Sequence, residues 1–278
     1  MTGKRMRKNP HGWMLAAVLL LAAAGLLAVH SHQTAAVPPE EPAQEEPSVT
    51  VIPAEPELPE LPEEPVEEDP VPEKPWGPVA ESAPVDDSYF DDAVFIGDSR
   101  TVGMYEYGGL EETSTFYAST GLTIYKMFDS KIVAVPGQKK KITVEEALSE
   151  KQFAKIYLMI GINEMGTGTV ESFMKAYGEA VQHLQQLQPD AVIYLQAIMK
   201  VTTERSGQGD YITNEGIEAR NEEIAKLADD EKIYYLDVNP LICDETGGMV
   251  ASYTYDGVHL KARYIPIWLD FLKEHAVE

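Results

Sequence analysis

Five residues carry groups suited to serine acyl transfer, which needs an exposed hydroxyl, a base to take its proton and donors to hold an oxyanion. Ser99 stands in Gly97-Asp98-Ser99, directly after the apolar run 94–96. On a glycine-containing turn its hydroxyl could project into a crevice. His259 is the candidate base, and Asp256 precedes it by three residues. On a helical turn that spacing puts both on one side. The carboxylate could then hold one ring nitrogen while the other faces Ser99. Asn163, in Gly161-Ile162-Asn163, offers a side-chain amide as an oxyanion donor, and Gly121 offers a backbone N–H. Each residue alone also has a plainer reading. Ser99 suits a helix cap, Asp-x-x-His suits a surface hydrogen bond, and Asn163 and Gly121 suit turns. The remaining histidines are poorer bases: His11, His30 and His32 flank an apolar stretch, His183 falls inside a helical pattern, and His275 is terminal.

These residues need a frame, and the hydrophobic pattern supplies one. Short β-rich runs fall at 94–96, 115–118, 155–160, 191–197 and 233–238. Between the third and fourth, Phe173, Ala176, Tyr177, Ala180, Val181, Leu184 and Leu187 recur at steps of three and four, which predicts a helix. Thr169 can cap its start, and Pro189 follows its end. Thr143 to Glu146 forms a capping-box pattern. Further helices are expected over 214–228 and from about Ala262 onward. Strand–helix alternation implies a parallel sheet with helices on both faces. Ligands bind such sheets at the carboxyl ends of the strands. Ser99, Gly121 and Asn163 each follow a strand run, while Asp256 and His259 precede the last helix. The loop 202–213 follows the fourth run and is placed to shape a substrate site.

The ordered set Gly-Asp-Ser, Gly, Gly-x-Asn and Asp-x-x-His resembles the SGNH, or GDSL, hydrolases across about residues 90–275. The resemblance implies a three-layer α/β/α domain with a flavodoxin-like parallel sheet. It also implies ester or thioester hydrolysis, or acyl transfer, with no metal or other cofactor. Carried over by motif, Ser99 is the nucleophile and lends its N–H to an oxyanion hole completed by Gly121 and Asn163. His259 is the base and then the acid, and Asp256 orients it. Three blocks depart from the family pattern. The first reads GDSR, so Arg100 replaces an apolar residue; a surface ion pair is its expected role, with substrate contact as the alternative. The third reads Gly-Ile-Asn-Glu, with Glu164 where Asp is common. The second is reduced to Thr120-Gly121-Leu122.

Composition divides the 278 residues into segments. Residues 1–12 carry Lys4, Arg5, Arg7 and Lys8 and no acid, and residues 13–29 carry no charge. This pattern predicts a transmembrane anchor, or a cleaved signal segment, with a cytoplasmic N-terminus. Residues 30–87 are expected to be a disordered linker. From 35 to 87 they hold 14 of the 19 prolines, 16 acids and one lysine. Such a segment cannot bury enough apolar surface to fold, and its charge and proline extend it. Residues 88–278 form the expected hydrolase domain, with 30 acids against 17 bases. A net charge of −24 for the chain argues against a nucleic-acid partner. The single cysteine, Cys243, excludes an intramolecular disulfide and is expected to be a small buried hydrophobe. Anchor and linker place the domain outside the cell, secreted if the N-terminal segment is cleaved. Within the resembled family, O-acetyl esters on cell-envelope carbohydrate come first as substrate. Acyl transfer with a membrane-bound O-acyltransferase partner is the alternative, and a non-catalytic glycan-binding domain is the third reading.

Overall fold

Five apolar runs become five strands of one sheet: β1 (Ala93–Gly97), β2 (Thr115–Ala118), β3 (Lys155–Met159), β4 (Val192–Gln196) and β5 (Ile233–Leu236). They lie in the order β2-β1-β3-β4-β5, and every neighbouring pair is parallel. This is the doubly wound order in which the crevice opens between β1 and β3. The computed structural model describes residues 78–277. The expected basic tail, the 13–29 anchor and the linker up to residue 77 lie outside the described residues. Among the described residues no helix is long and apolar enough to cross a membrane.

The strands read as continuous apolar runs because both faces are covered. Side chains alternate between the faces. Val94, Ile96, Ile156, Leu158, Ile193 and Leu195 point to one side. There they meet α2 (Val144–Glu150), α3 (Val170–Leu187) and α5 (Asn214–Ala225) through Leu148, Phe173, Tyr177, Leu184, Ile217 and Ile224. Phe95, Tyr157 and Tyr194 point to the other side, against α1 (Ser99–Tyr107) and α7 (Ile265–Glu274) through Met104, Ile265, Trp268 and Leu272. Parallel register places Phe116, Phe95, Tyr157 and Tyr194 side by side across four strands. Successive ring centroids are 4.8, 4.8 and 4.5 Å apart, close to parallel. Such cross-strand aromatic rows add to the burial of each ring.

Two short helices, α4 (Thr203–Ser206) and α6 (Asn239–Ile242), occupy the exits of β4 and β5. The expected capping box forms between Thr143 and Glu146 at α2, and Thr169 caps α3 in a second box with Ser172. Helix α5 stops at Ala225, earlier than the apolar spacing suggested. A tight 3₁₀ turn, Ala262–Tyr264, precedes α7, and Pro266 occupies the first turn, where a missing N–H costs nothing.

The expected linker ends sooner than residue 87. Val79 N–H donates to the Tyr235 carbonyl (3.0 Å), Ser82 N–H to Glu274 (2.6 Å) and Val85 N–H to Lys273 (3.0 Å). Val79 also packs against the cluster on the α7 side of the sheet. This strap covers the open side of β5, which would otherwise present unpaired backbone groups. A chain beginning at residue 78 should therefore melt a few degrees above one beginning at residue 88, since about 1 kcal/mol moves Tm by ~2–4 °C in a domain of this size. Equal melting temperatures by calorimetry would show that the strap adds nothing.

Candidate active site

Ser99 opens α1 at the end of β1, and the turn that carries it is tight. A Cβ on Gly97 would lie 2.0 Å from Thr101 Oγ1 and 2.6 Å from the Met159 carbonyl, so only glycine lets helix and strands approach this closely. Asp98 caps the helix, its Oδ1 accepting from the Arg100 N–H at 2.9 Å. The cap therefore falls to Asp98 rather than to Ser99. As the first helical residue, Ser99 has a backbone N–H with no intrahelical acceptor.

The Ser99 hydroxyl lies 2.8 Å from His259 Nε2, and His259 Nδ1 lies 2.7 Å from Asp256 Oδ2. The Asp256–His259 pair was expected on a helical turn; the structure puts it on a non-helical loop closed by the Thr254–Leu260 bridge. That loop wraps around the carboxylate. Asp256 Oδ1 accepts from the N–H groups of Val258 and His259, both at 2.9 Å, and from the Thr254 hydroxyl at 3.1 Å. Burial opposes ionisation of Asp256. The His259 and Val258 N–H groups and the imidazole together outweigh it and hold the carboxyl well below the usual range. An ionised carboxylate only accepts, so Nδ1 carries the imidazole proton and Nε2 is free to accept from Ser99.

The other two sequence candidates come to the same strand exits. Ser119 N–H donates to the Gly97 carbonyl (3.1 Å), which ties the loop after β2 to the Ser99 turn. Gly121 follows with φ +77°, a left-handed conformation that glycine adopts without cost. Asn163 sits in the turn after β3, and its Nδ2 donates to the Leu122 carbonyl at 2.9 Å. An amide nitrogen has two protons, so one remains for a ligand while the other holds Asn163 beside Gly121. Both residues are exposed.

Glu164 explains how the two loops stay together. Its side chain is 0 % exposed, and it accepts from the Ile124 N–H in the loop after β2. Burial, its largest influence, pushes the carboxyl up to about 7, aided by nearby Asp98 and opposed by the Ile124 hydrogen bond and Arg220. Sequence reasoning had singled out Glu164 as a departure without locating its partner, because Ile124 is 40 positions away.

Arg100 corrects an expectation. It is not a surface ion pair: its side chain is buried, 4 % exposed, and it reaches the wall of the small cavity at Ser99. Nε donates to the Val258 carbonyl at 3.3 Å, next to His259, while neither Nη bonds to any described residue. Burial lowers its pKa, opposed by the carboxylates of Asp98 and Asp256. Those two acids flank it and make a buried guanidinium tolerable. Cys243 is half-buried rather than fully buried, and burial pushes its thiol up to about 11. It lines a cavity of about 550 Å³ with Lys200, Glu218, Tyr235 and Asn239, which shares no residue with the small cavity at Ser99. Among the described residues, no group of three or more His, Cys, Asp or Glu could hold a metal ion.

The model of the GDSL-like lipase/acylhydrolase family matches residues 95–263, more than half of the chain. The chain belongs to the GDSL-like lipase/acylhydrolase family. It is an SGNH-type serine hydrolase, and its sheet and helices are the SGNH α/β/α fold. No curated protein matches it. Solved structures share the fold. One from Streptococcus pneumonia, provisionally described as a platelet activating factor, is 22% identical, with 67% of this chain and 87% of that chain covered and a TM-score of 0.52. A provisionally described acylhydrolase from Bacteroides fragilis is 15% identical, covering 65% and 83%, with a TM-score of 0.50. A lipolytic protein of the G-D-S-L family from Desulfitobacterium hafniense, also provisionally described, is 14% identical, covering 66% and 98%, with a TM-score of 0.50.

The raised pKa of the buried Glu164 carboxyl in this GDSL hydrolase has a measurable consequence. Glu164 binds its proton more tightly when folded than at its ordinary value of 4.5, so its contribution to stability is full below that value and is lost as pH rises through about 7. Urea midpoints at pH 5 and pH 8 should differ less in Glu164→Gln than in the wild type. An unchanged difference would show that Glu164 does not titrate this way.

Proposed function

We propose that the protein is a membrane-anchored, extracytoplasmic serine esterase that removes acyl groups, foremost O-acetyl, from cell-envelope carbohydrate. The observation that carries this reading is the continuous hydrogen-bonded line Ser99–His259–Asp256, at 2.8 and 2.7 Å, on the frame of a GDSL acylhydrolase. Ser99 attacks the ester carbonyl as His259 Nε2 takes its proton. Asp256 keeps the imidazole in the required tautomer and stabilises the imidazolium that forms. The Ser99 N–H, the Gly121 N–H and Asn163 Nδ2 hold the oxyanion. As the acyl C–O bond breaks, His259 gives the proton to the departing sugar oxygen, which leaves as a hydroxyl, and a second round with water releases the acid and frees Ser99.

A small cavity opens beside Ser99 and His259, lined also by Arg100, Met199, Leu260, Ile265 and Trp268. Its largely apolar walls suit the methyl group of an acetyl ester. The extracytoplasmic placement rests on the basic tail, the uncharged 13–29 stretch and the proline-rich acidic segment.

Turnover of p-nitrophenyl acetate by the full chain tests the assignment. Ser99→Ala should fall to the uncatalysed background with the fold intact, and Asn163→Ala should slow turnover by roughly 10²–10³, the loss typical of one oxyanion donor. Retained activity in Ser99→Ala would remove it as the nucleophile. A folded but inactive wild type would redirect the reading to acyl transfer with a membrane-bound partner.

A further inference from the structure

A second concavity borders the site on the side of Asp256. It encloses about 220 Å³ between the start of the 202–213 loop and the turn that leads to His259, and its lining includes Thr202, Glu204, Arg205, Gln208, Tyr255 and Asp256. Bonds between the two segments and within them hold its walls. Thr202 N–H donates to the Gly257 carbonyl at 2.9 Å. A Cβ on Gly257 would come 2.7 Å from Arg205 Cβ, so glycine is what lets the two segments meet. Arg205 forks onto Asp210 through both Nη atoms, at 3.0 and 2.9 Å, which fixes and neutralises its guanidinium.

Tyr255 stands at the edge of this cleft and is 91 % exposed. Lys261 Nζ lies 4.2 Å from its ring centroid. One face is therefore occupied by the cation, and the other is presented to solvent. A ring of this size left unburied beside a polar concavity suits a ligand with an apolar face and a hydroxylated rim, as a pyranose has. Glu204 and Gln208 are exposed and supply acceptors and donors for such a rim. Charge narrows the class further. With Arg205 paired to Asp210, the carboxylates of Glu204 and Asp256 disfavour an anionic ligand.

We infer that this cleft is a subsite for a neutral sugar residue adjacent to the one that bears the ester, with Tyr255 as its stacking platform. The inference rests on the carbohydrate-esterase reading above and adds chain-length recognition to it. Asp256 is common to cleft and relay, one imidazole ring from the Ser99 hydroxyl. A glycan whose esterified residue lies at Ser99 can thus continue into the cleft.

The test uses the full chain, with 6-O-acetyl-N-acetylglucosamine and its β-1,4-linked tetramer carrying the same ester as probes. The tetramer should show a KM about tenfold lower than the monomer, the worth of one aromatic contact. Tyr255→Ala should erase that difference, and Tyr255→Phe should restore it, since the ring and not the hydroxyl does the stacking. Equal KM values in a wild type active on both esters would overturn the subsite and leave the esterase reading standing. A length preference that survives Tyr255→Ala would overturn it as well. A wild type that hydrolyses p-nitrophenyl acetate but neither sugar ester would overturn the carbohydrate reading and the subsite together.

Discussion

The approach of Gly97 to Thr101 and to the Met159 carbonyl governs everything above it. It brings the end of β1, the first turn of α1 and the end of β3 within contact of one another, and the sheet order puts the crevice at that point. From there the Ser119 bond to Gly97 draws in the loop after β2, and Asn163 bonds that loop again through Leu122. The proposed oxyanion donors are thus carried by segments distant in sequence and joined by a few hydrogen bonds. Preorganised donors of this kind need no rearrangement as charge develops, which is why they contribute so much to acyl transfer.

Beneath the surface relay lies a layer of buried ionisable groups: Asp98, Arg100 and Glu164. Asp98 is pushed up by burial and drawn down by Arg100 and its N–H. Arg100 holds the Val258 carbonyl while facing the fields of Asp98 and Asp256. These groups tie the first turn of α1 to the His259 loop, and the β3 exit to the β2 exit. A buried charge is costly unless each neighbour compensates it, so a change at one member falls on the others.

Much of this was legible in the sequence because it depends on local pattern. All five strands follow their apolar runs, the capping box forms at Thr143, and Thr169 caps its helix as expected. The motif residues reach one site because strand exits in a parallel sheet share one edge. The remainder depended on contacts that spacing does not reveal. Arg100 looked like a surface residue, since arginine usually is one, yet Asp98 and Asp256 flank it inside. The Asp256–His259 spacing suited a helix, but Thr254 and Leu260 pair and force an irregular loop. Val79 and Val85 gave no periodic signal amid prolines, although their N–H groups find acceptors on β5 and at the end of α7.

That strap also decides how the domain would carry mechanical load. Tension entering from the amino-terminal side meets the bonds to Tyr235, Lys273 and Glu274 before it reaches β1. These lie on the outermost strand and at the tail of the last helix, whereas the Ser99 turn belongs to a strand flanked on both sides. The strap therefore acts as a strain relief: a pull on the chain is shed into the edge of the sheet, and the alignment of Ser99 with His259 stays outside the path of the force.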